Sequence, residues 1–442
     1  MNTKLPFEQL ASRREFLKTS STAVAAGALA SNLAFPALTS GAPNSDKLKI
    51  GFIGCGGRGT GAAKQALSAD SNVELFAMGD VFADRLGNSL KTLQGQFQKN
   101  PEKFNLAPER KFVGLDAYQK VINSGVDVVI LTTPPGFRPI QFKAAIDAGK
   151  HVFLEKPMAT DAPGLRSVMA SVAEAKRKKL AVVAGFCWRY DSARRAIFDK
   201  IHAGAIGEIK ALYHSYLTGP VKPMPPAETR PAGMSDVEWQ VRNWYNFVWL
   251  GGDGLVEQAI HSIDKMAWAM KDVPPLKVVA VGGRQTPNHE GNIYDHIEVN
   301  YEWANGVRGF LSQRQIPNCY GETRDYMMGA KGNAYIGRRG GSPVEIVGET
   351  NWKYEGPASD MYQVEHDEFF ASIRAGNPLN DGDRMCTSTM MGIIGRMAGY
   401  TGQEITWEQA LNSQEKLVPD NLDWNGKLPI VPMAVPGKTK FV

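Results

Sequence analysis

Cysteine is scarce in this chain, and the few cysteines are far apart. The 442 residues include four of them, Cys55, Cys187, Cys319 and Cys386. They form no Cys-x-x-Cys or Cys-x-x-His pair, so the ligand spacing of a structural zinc site is missing. We therefore expect these cysteines to be mainly buried thiols.

Dense runs of basic residues are missing too. The formal net charge of +5 is spread along the chain, with only short patches such as residues 176–179. A nucleic-acid partner is therefore not expected. With 43% hydrophobic and 21% charged residues, the composition is that of a soluble globular protein, and the length suffices for two domains.

No strongly apolar run of membrane-spanning length stands out, even near the N-terminus. There, "SRREFLK" (12–18) precedes a mild run of Ala, Gly, Ser and Thr. The arginine pair resembles a twin-arginine export signal, and the alternative is an amphipathic N-terminal helix. We predict a signal and linker at residues 1–42, export of the folded protein by the twin-arginine machinery to the periplasm or beyond, and no membrane span in the mature protein.

After this segment, apolar strand patterns alternate with helical stretches. The strand patterns are "KLKIGFIG" (47–54), "NVELFAMGD" (72–80), "VDVVILTTPP" (126–135) and "HVFLEKP" (151–157). Such alternation predicts a parallel, doubly wound α/β sheet of the Rossmann type. Later runs have hairpin turns such as Asn305-Gly306, which predict a mainly antiparallel sheet in an α+β domain. We predict a dinucleotide-binding domain at 43–160, a substrate and oligomerisation domain at 161–415 and a tail at 416–442.

A bare turn, "GFIGCGGRG" (51–59), follows the first strand pattern. Its Gly54, Gly56 and Gly59 have the Gly-x-Gly-x-x-Gly spacing, which permits a tight turn, close approach of a pyrophosphate and close helix packing. The helix N-terminus then faces the phosphates with free N–H groups. We predict that this turn, including Gly57 and Arg58, binds a dinucleotide; a purely structural turn is the alternative.

The second strand pattern ends in Asp80, where a carboxylate can accept hydrogen bonds from the adenosine ribose. An acid at this position disfavours a 2′-phosphate. We therefore predict NAD as the cofactor. Arg58 and Arg85 are close enough in sequence to leave NADP open.

Three signals in this order resemble the family of glucose-fructose oxidoreductase, inositol dehydrogenase and MocA: the glycine turn, "EKP" (155–157) and "GGDGLVEQAIHSID" (251–264). The resemblance implies an oxidoreductase of sugars or polyols that forms a homo-oligomer. It further implies that the following residues belong to the cofactor and catalytic sites: Thr133, Pro134, Glu155, Lys156, Glu257 and His261. In this family an aspartate is usual at position 257 and a glycine at 259, where this chain has Ala259.

The chemistry of these residue types suits oxidation of a CHOH group. His261 can take the hydroxyl proton, because an imidazole titrates near neutral pH. Glu257 stands four residues before it and can orient the ring, while Lys156 can stabilise a developing alkoxide. The alternatives are a solvated helix pair and a surface lysine. We predict no metal, because one histidine with Glu257 and Asp264 is an incomplete ligand set.

Aromatic and polar residues concentrate in "GFCWRYD" (185–191) and "WQVRNWYNFVWLGG" (239–252). Rings can stack on a sugar, and Arg or Asn can bind its hydroxyls. We predict that Arg189, Tyr190 and Arg242 bind substrate together with His261. Two other functions remain open: a glycoside hydrolase or lyase that uses transient oxidation by NAD, and a sugar-binding protein without activity.

Overall fold

The computed structural model describes residues 46–286, 290–337 and 343–442. The predicted export signal and linker at residues 1–42 lie outside the described residues. Within the described part of the chain, no helix combines the length and the apolar character that a membrane crossing needs. Cys55, Cys187 and Cys386 are buried as expected, but Cys319 is exposed.

The first sheet of the described chain has six parallel strands in the order β3-β2-β1-β4-β5-β6. They are β1 Leu48–Ile53, β2 Val73–Asp80, β3 Lys111–Val113, β4 Val128–Leu131, β5 His151–Leu154 and β6 Val182–Ala184. The predicted doubly wound sheet is confirmed. Its order reverses between β1 and β4, which leaves a crevice at the carboxyl ends of these strands. The domain boundary predicted after residue 160 falls between β5 and β6.

Helices connect these strands and cover both faces of the sheet. They are α1 Gly57–Ala69, α2 Ala83–Gln96, α3 Ala117–Ile122, α4 Arg138–Asp147 and α5 Ala162–Arg177. Every residue of β4 is fully buried. A continuous apolar run of this kind is what a central parallel strand needs, because both of its faces are covered.

The second sheet runs β14-β13-β12-β11-β7-β10-β9-β8-β15, with β7 and β10 parallel and the other neighbours antiparallel. The strands are β7 Ile209–Thr218, β8 Lys277–Gly283, β9 His296–Glu302, β10 Arg308–Gln315, β11 Asp325–Gly329, β12 Gly332–Ile336, β13 Val344–Gly348, β14 Trp352–Lys353 and β15 Ile405–Thr406. The predicted mainly antiparallel sheet is confirmed. Gly306, at the tip of the β9–β10 hairpin, has a φ of 85°, which favours glycine.

The remaining helices are α6 Ser192–His202, α7 Asp236–Arg242, α8 Val248–Gly251, α9 Ile260–Ala269, α10 Met361–Arg374, α11 Gly382–Thr401 and α12 Trp407–Asn412. A π-helical turn, Leu255–Ala259, precedes α9. Helices α9 and α11 pack on the second sheet, and the Tyr301 hydroxyl donates to the Met391 carbonyl at 2.9 Å. Helix α10 instead packs on α1, so a late segment of the chain joins the first domain.

Residues 416–442, here named the C-terminal strap, lie on the surface without helix or strand. Their apolar side chains, among them Leu417 and Trp424, pack against Phe82 of the first domain and Trp249 of the second. The strap is anchored by polar contacts as well: the Leu417 N–H donates to the Asp161 carboxylate at 2.8 Å. It therefore contacts both domains.

Candidate active site

The predicted glycine turn lies between β1 and α1. Gly54 has a φ of 94°, and a Cβ at Gly59 would lie 2.0 Å from the Gly54 carbonyl oxygen, so neither position accepts a side chain. Gly56 and Gly57 face open space, with no heavy atom within 4 Å of a Cβ built on either. The described residues supply no side-chain cap to the N-terminus of α1. The turn is thus tightly packed at Gly54 and Gly59 and open at Gly56 and Gly57, where a dinucleotide phosphate needs space.

Asp80 lies at the carboxyl end of β2 beside this turn. Its carboxylate accepts hydrogen bonds from the N–H groups of Cys55 at 2.6 Å and Phe82 at 2.9 Å. Burial raises the pKa of Asp80, and these two hydrogen bonds oppose the shift. Asp80 and the glycine turn line one cavity. The carboxylate is therefore fixed where ribose hydroxyls can reach its remaining lone pairs.

The guanidinium of Arg58 is engaged by side chains of the protein. It pairs with Glu155 and, at 3.1 Å, with Glu365, and it donates to Gln65 at 2.8 Å. Burial raises the pKa of Glu365 well above its usual value, and Glu155 adds to the shift while Arg58 opposes it. The side chains of Arg58 and Glu155 thus bind each other.

Thr133 and Pro134 follow β4 and line the same cavity. The Thr133 hydroxyl donates to Gln141 at 2.6 Å. Arg138, which is fully buried, donates to the carbonyl oxygens of Thr133 and Pro157. Arg138 therefore connects the loops after β4 and β5, a role that the sequence patterns did not predict. The sequence feature that could have indicated this role is an arginine at the start of a helix that follows a buried strand.

Lys156 and Glu257 form a buried ion pair across the two domains. The Lys156 ammonium lies 2.7 Å from the Glu257 carboxylate and also donates to the Glu257 carbonyl oxygen. The other carboxylate oxygen accepts from Gln258 at 2.6 Å, and Gln258 accepts from the Tyr216 hydroxyl at 2.8 Å. The structure thus brings together two of the predicted catalytic residues. It also shows hydrogen bonds from Glu257 through Gln258 to Tyr216, which the sequence did not predict.

His261, the third predicted catalytic residue, stands one turn after Glu257. Its ring stacks on Trp188, with centroids 5.1 Å apart and an interplanar angle of 22°. Nδ1 of His261 is buried and has no hydrogen-bond partner among the described residues. The predicted orienting role of Glu257 is therefore corrected: its carboxylate is already engaged with Lys156 and Gln258.

Burial lowers the pKa of His261 well below its usual value, and the positive charges of Lys156, Lys265 and Arg194 lower it further. Lys265 Nζ lies 3.9 Å and Arg194 Cζ 4.5 Å from the centre of the Trp188 ring. The imidazole is consequently neutral near pH 7. A neutral imidazole is the form that can accept a proton.

Two predicted substrate residues are structural. Arg189 is buried and pairs with Asp264 at 2.9 Å and with Asp272. The Tyr190 hydroxyl donates to Asp381 at 2.9 Å. The substrate-binding predictions for both are corrected, because a buried guanidinium or phenol obtains its polar partner within the protein. In the same segment, Trp188 is the side chain that contacts His261.

Arg242, the other predicted substrate residue, lies beside Phe82, two residues after Asp80. Its guanidinium pairs with Glu238 at 2.9 Å and stacks on Phe82 at 3.9 Å. Among residues 46–286, 290–337 and 343–442, no three His, Cys, Asp or Glu side chains are grouped so as to hold a metal ion.

Two glutamines of β10 lie under the segment that carries Glu257. A Cβ at Gly254 would be 3.0 Å from the Gln313 amide nitrogen and 3.4 Å from that of Gln315. Gln315 pairs with the Tyr245 hydroxyl at 2.6 Å. Gln313 is 2% exposed, yet its amide nitrogen and oxygen have no partner in the described part of the chain. A buried amide with no partner is costly, which points to a ligand or water at this place.

The open glycine turn, the acid at the end of β2 and the lysine and histidine between the domains define a two-domain oxidoreductase that binds NAD. Residues 48–186 match the family described as "Oxidoreductase family, NAD-binding Rossmann fold", and residues 199–390 match "Oxidoreductase family, C-terminal alpha/beta domain". The chain therefore belongs to the glucose-fructose oxidoreductase, inositol dehydrogenase and MocA family.

Individual relatives agree with this assignment. The inositol 2-dehydrogenase of Serratia proteamaculans is 28% identical over 324 residues, which are 69% of this chain and 86% of the relative. Levoglucosan dehydrogenase, solved in complex with NADH and levoglucosan, has a TM-score of 0.63 at 17% identity, with 81% of this chain and 99% of that chain covered. For the aldose-aldose oxidoreductase of Caulobacter crescentus, complexed with glycerol, the TM-score is 0.62 at 16% identity and the coverage is 81% and 99%. These two structures share the fold.

Proposed function

We propose that this protein is an exported, NAD-dependent oxidoreductase that oxidises a secondary hydroxyl of a sugar, glycoside or polyol. The observation that carries the proposal is the group formed by the Lys156–Glu257 ion pair and the neutral His261, beside the loop of Thr133. The relatives named for inositol and levoglucosan support a ring-shaped, hydroxyl-rich substrate.

In this proposal each residue has one task. Nε2 of His261 takes the proton of the reacting hydroxyl, because burial and nearby cations keep the imidazole neutral. Lys156 lies beside the same oxygen and stabilises its developing negative charge. Glu257 holds the ammonium of Lys156 in position. The glycine turn and Asp80 would hold NAD, and the bound cofactor would supply the acceptor for the hydride that leaves the carbon.

Gln313 is proposed to bind a neighbouring hydroxyl of the substrate. A primary amide offers both a donor and an acceptor, and a hydroxyl can pair with either. Because Gln313 is neutral and its amide has no partner among the described residues, this position suits an uncharged, unsubstituted hydroxyl.

A substrate panel tests the function. The purified protein is incubated with NAD and with myo-inositol, levoglucosan, free aldoses and simple glycosides, while nicotinamide absorbance and sugar products are followed together. Net NADH with a keto product is expected. Release of an aglycone without net NADH would support the hydrolase or lyase instead, and no turnover with any compound would favour a binding protein.

A matched pair of histidine variants tests the base. His261→Ala is expected to lower kcat by about a thousandfold, within the range for loss of a general base. His202→Gln, at the end of α6, alters a histidine that bonds the Trp268 carbonyl outside the site and serves as the control. Equal activity of the two variants would contradict the role of His261.

Export is proposed on the sequence of residues 12–18. Replacing both Arg13 and Arg14 by Lys is expected to leave the protein in the cytoplasm, since the arginine pair is the part of the signal that the export machinery recognises. Cell fractionation measures this. An unchanged distribution between fractions would contradict twin-arginine export.

A retained cofactor is proposed as well, because a dinucleotide lost outside the cytoplasm is difficult to replace. The C-terminal strap supports this, since it packs on both domains next to Phe82, two residues after Asp80. The protein is dialysed, denatured and assayed for released NAD. Stoichiometric NAD is expected, and its absence would refute retention.

A further inference from the structure

A second cavity adjoins the one that contains the glycine turn. The two cavities share Gly56, Gly57, Arg85 and Trp244. The second is bounded by the first turns of α2 and by Lys222, which belongs to the segment between β7 and α7 of the second domain. It therefore brings residues of both domains over the open part of the turn.

Two cations converge in this cavity on one acceptor. Lys222 Nζ donates to the Arg242 carbonyl oxygen at 2.5 Å, and the Arg85 guanidinium donates to the same oxygen at 3.5 Å. Burial lowers the pKa of Lys222 to about 8, and the charge of Arg85 contributes to this shift. Two like charges at such close range repel each other unless an anion lies between them.

No carboxylate in the described residues pairs with either cation. Arg242 shows the contrast, because it has Glu238 and Asp84 as partners. Burial lowers the pKa of Arg85, and the fields of Asp80 and Asp84 only partly offset this. Both oxygens of Asp80 already accept main-chain N–H groups. The charge that would complete this cluster is therefore absent from the described protein groups.

We propose that Arg85 and Lys222 bind a phosphate group of the dinucleotide, so that a residue of the second domain closes over the cofactor. Phosphate is favoured because Gly56 and Gly57, at the N-terminus of α1, line both cavities. The group is either the pyrophosphate, common to NAD and NADP, or the 2′-phosphate of NADP. This inference rests on the proposed function, since it takes the dinucleotide as ligand.

The test measures binding and needs no substrate. The full-length protein, freed of bound nucleotide, is titrated with NADH and with NADPH, and energy transfer from tryptophan to nicotinamide is recorded. The variants are Arg85→Met, Lys222→Met and the charge-retaining Lys222→Arg. Lys91→Met, an exposed lysine of α2, is the matched control for loss of one positive charge.

Loss of either cation is expected to weaken binding about tenfold, as for one charge-assisted contact to phosphate. An equal loss for NADH and NADPH identifies the pyrophosphate, and a loss confined to NADPH identifies the 2′-phosphate. Lys222→Arg is expected to stay near the wild type. Wild-type affinity of both Met variants for both nucleotides would overturn the inference. A wild type that binds NADH but oxidises no polyol would overturn only the proposed function.

Discussion

The imidazole of His261 stacks on the indole of Trp188 at a centroid distance of 5.1 Å. Because Nδ1 of His261 has no hydrogen-bond partner in the described chain, this contact, and no carboxylate, fixes the ring plane. Trp188 itself is held by Lys265 and Arg194, whose cations lie over its ring. The proposed base is thus oriented by stacking, and its pKa is lowered by burial and, further, by the cations around it.

Removal of the stack tests this arrangement. Trp188→Leu is expected to lower kcat/KM by about tenfold to a hundredfold, because a mobile imidazole spends less time in line with the substrate proton. Trp188→Phe keeps an aromatic face and is expected to lose less. Steady-state kinetics on the identified substrate, with thermal unfolding as a check on folding, measure the difference. Full activity of Trp188→Leu would show that the stack does not position the base.

The pH dependence of kcat/KM tests the effect of the buried cations. Because the pKa of His261 is lowered, its neutral form persists below pH 6.5, and activity is lost only as the pH falls through the lowered value. The double variant Lys265→Met/Asp325→Asn removes both charges of a buried ion pair, and its new amide oxygen can still accept a hydrogen bond from His214, which lies 3.0 Å from Asp325. Its acid limb is expected to shift upward by about half a pH unit.

The exposed Lys271 provides the control for this shift. Lys271→Met is expected to leave the acid limb where the wild type has it. If the double variant and this control had the same pH profile, Lys265, whose ammonium lies over the Trp188 ring, would have no part in lowering the pKa of His261.

Much of the fold and part of the site follow from local sequence patterns. Gly54, Gly59 and Asp80 were predictable because turn geometry and strand ends depend on neighbouring residues. Lys156 and His261 came from a family resemblance. The roles of Trp188 and Gln313 depend on contacts between distant segments. The sequence around them is as typical of core residues as of a binding site. Arg189 was misjudged for the same reason, since Asp264 and Asp272, 75 and 83 residues away, are its partners.

Glu257 is expected to act through Lys156. Glu257→Gln removes the charge that holds the ammonium, so kcat is expected to fall by about tenfold or more. Glu257→Asp, the residue usual in the family, is expected to keep more activity because the carboxylate remains. The readout that separates positioning from folding is the split between kcat and KM, with kcat carrying the loss. A Gln variant with wild-type kcat would exclude this role.

Gln313→Leu is expected to have opposite effects on stability and on substrate binding. The free energy of unfolding is expected to change by less than about 1 kcal/mol or to rise, because the buried amide has no partner to lose among the residues that the structure describes. KM is expected to rise about tenfold, because one substrate hydroxyl loses its partner. The neighbouring Gln315→Leu is the contrast. It breaks the bond to Tyr245 and is expected to destabilise the fold. An unchanged KM in Gln313→Leu would leave the amide without a ligand role.

The C-terminal strap is expected to control how fast the cofactor leaves. Trp424 packs edge-on against Phe82, with ring centroids 5.5 Å apart. Because the strap also packs on the second domain, separation of the domains must break its contacts with one of the two. Trp424→Ala is expected to lower the free energy of unfolding by about 2 kcal/mol, less than for a fully buried tryptophan, and to speed NADH dissociation about tenfold. Val431→Ala, an exposed strap residue, is the control. Stopped-flow displacement of NADH measures the dissociation rate. If Trp424→Ala were destabilised but released NADH at the wild-type rate, the strap would stabilise the fold without controlling cofactor release.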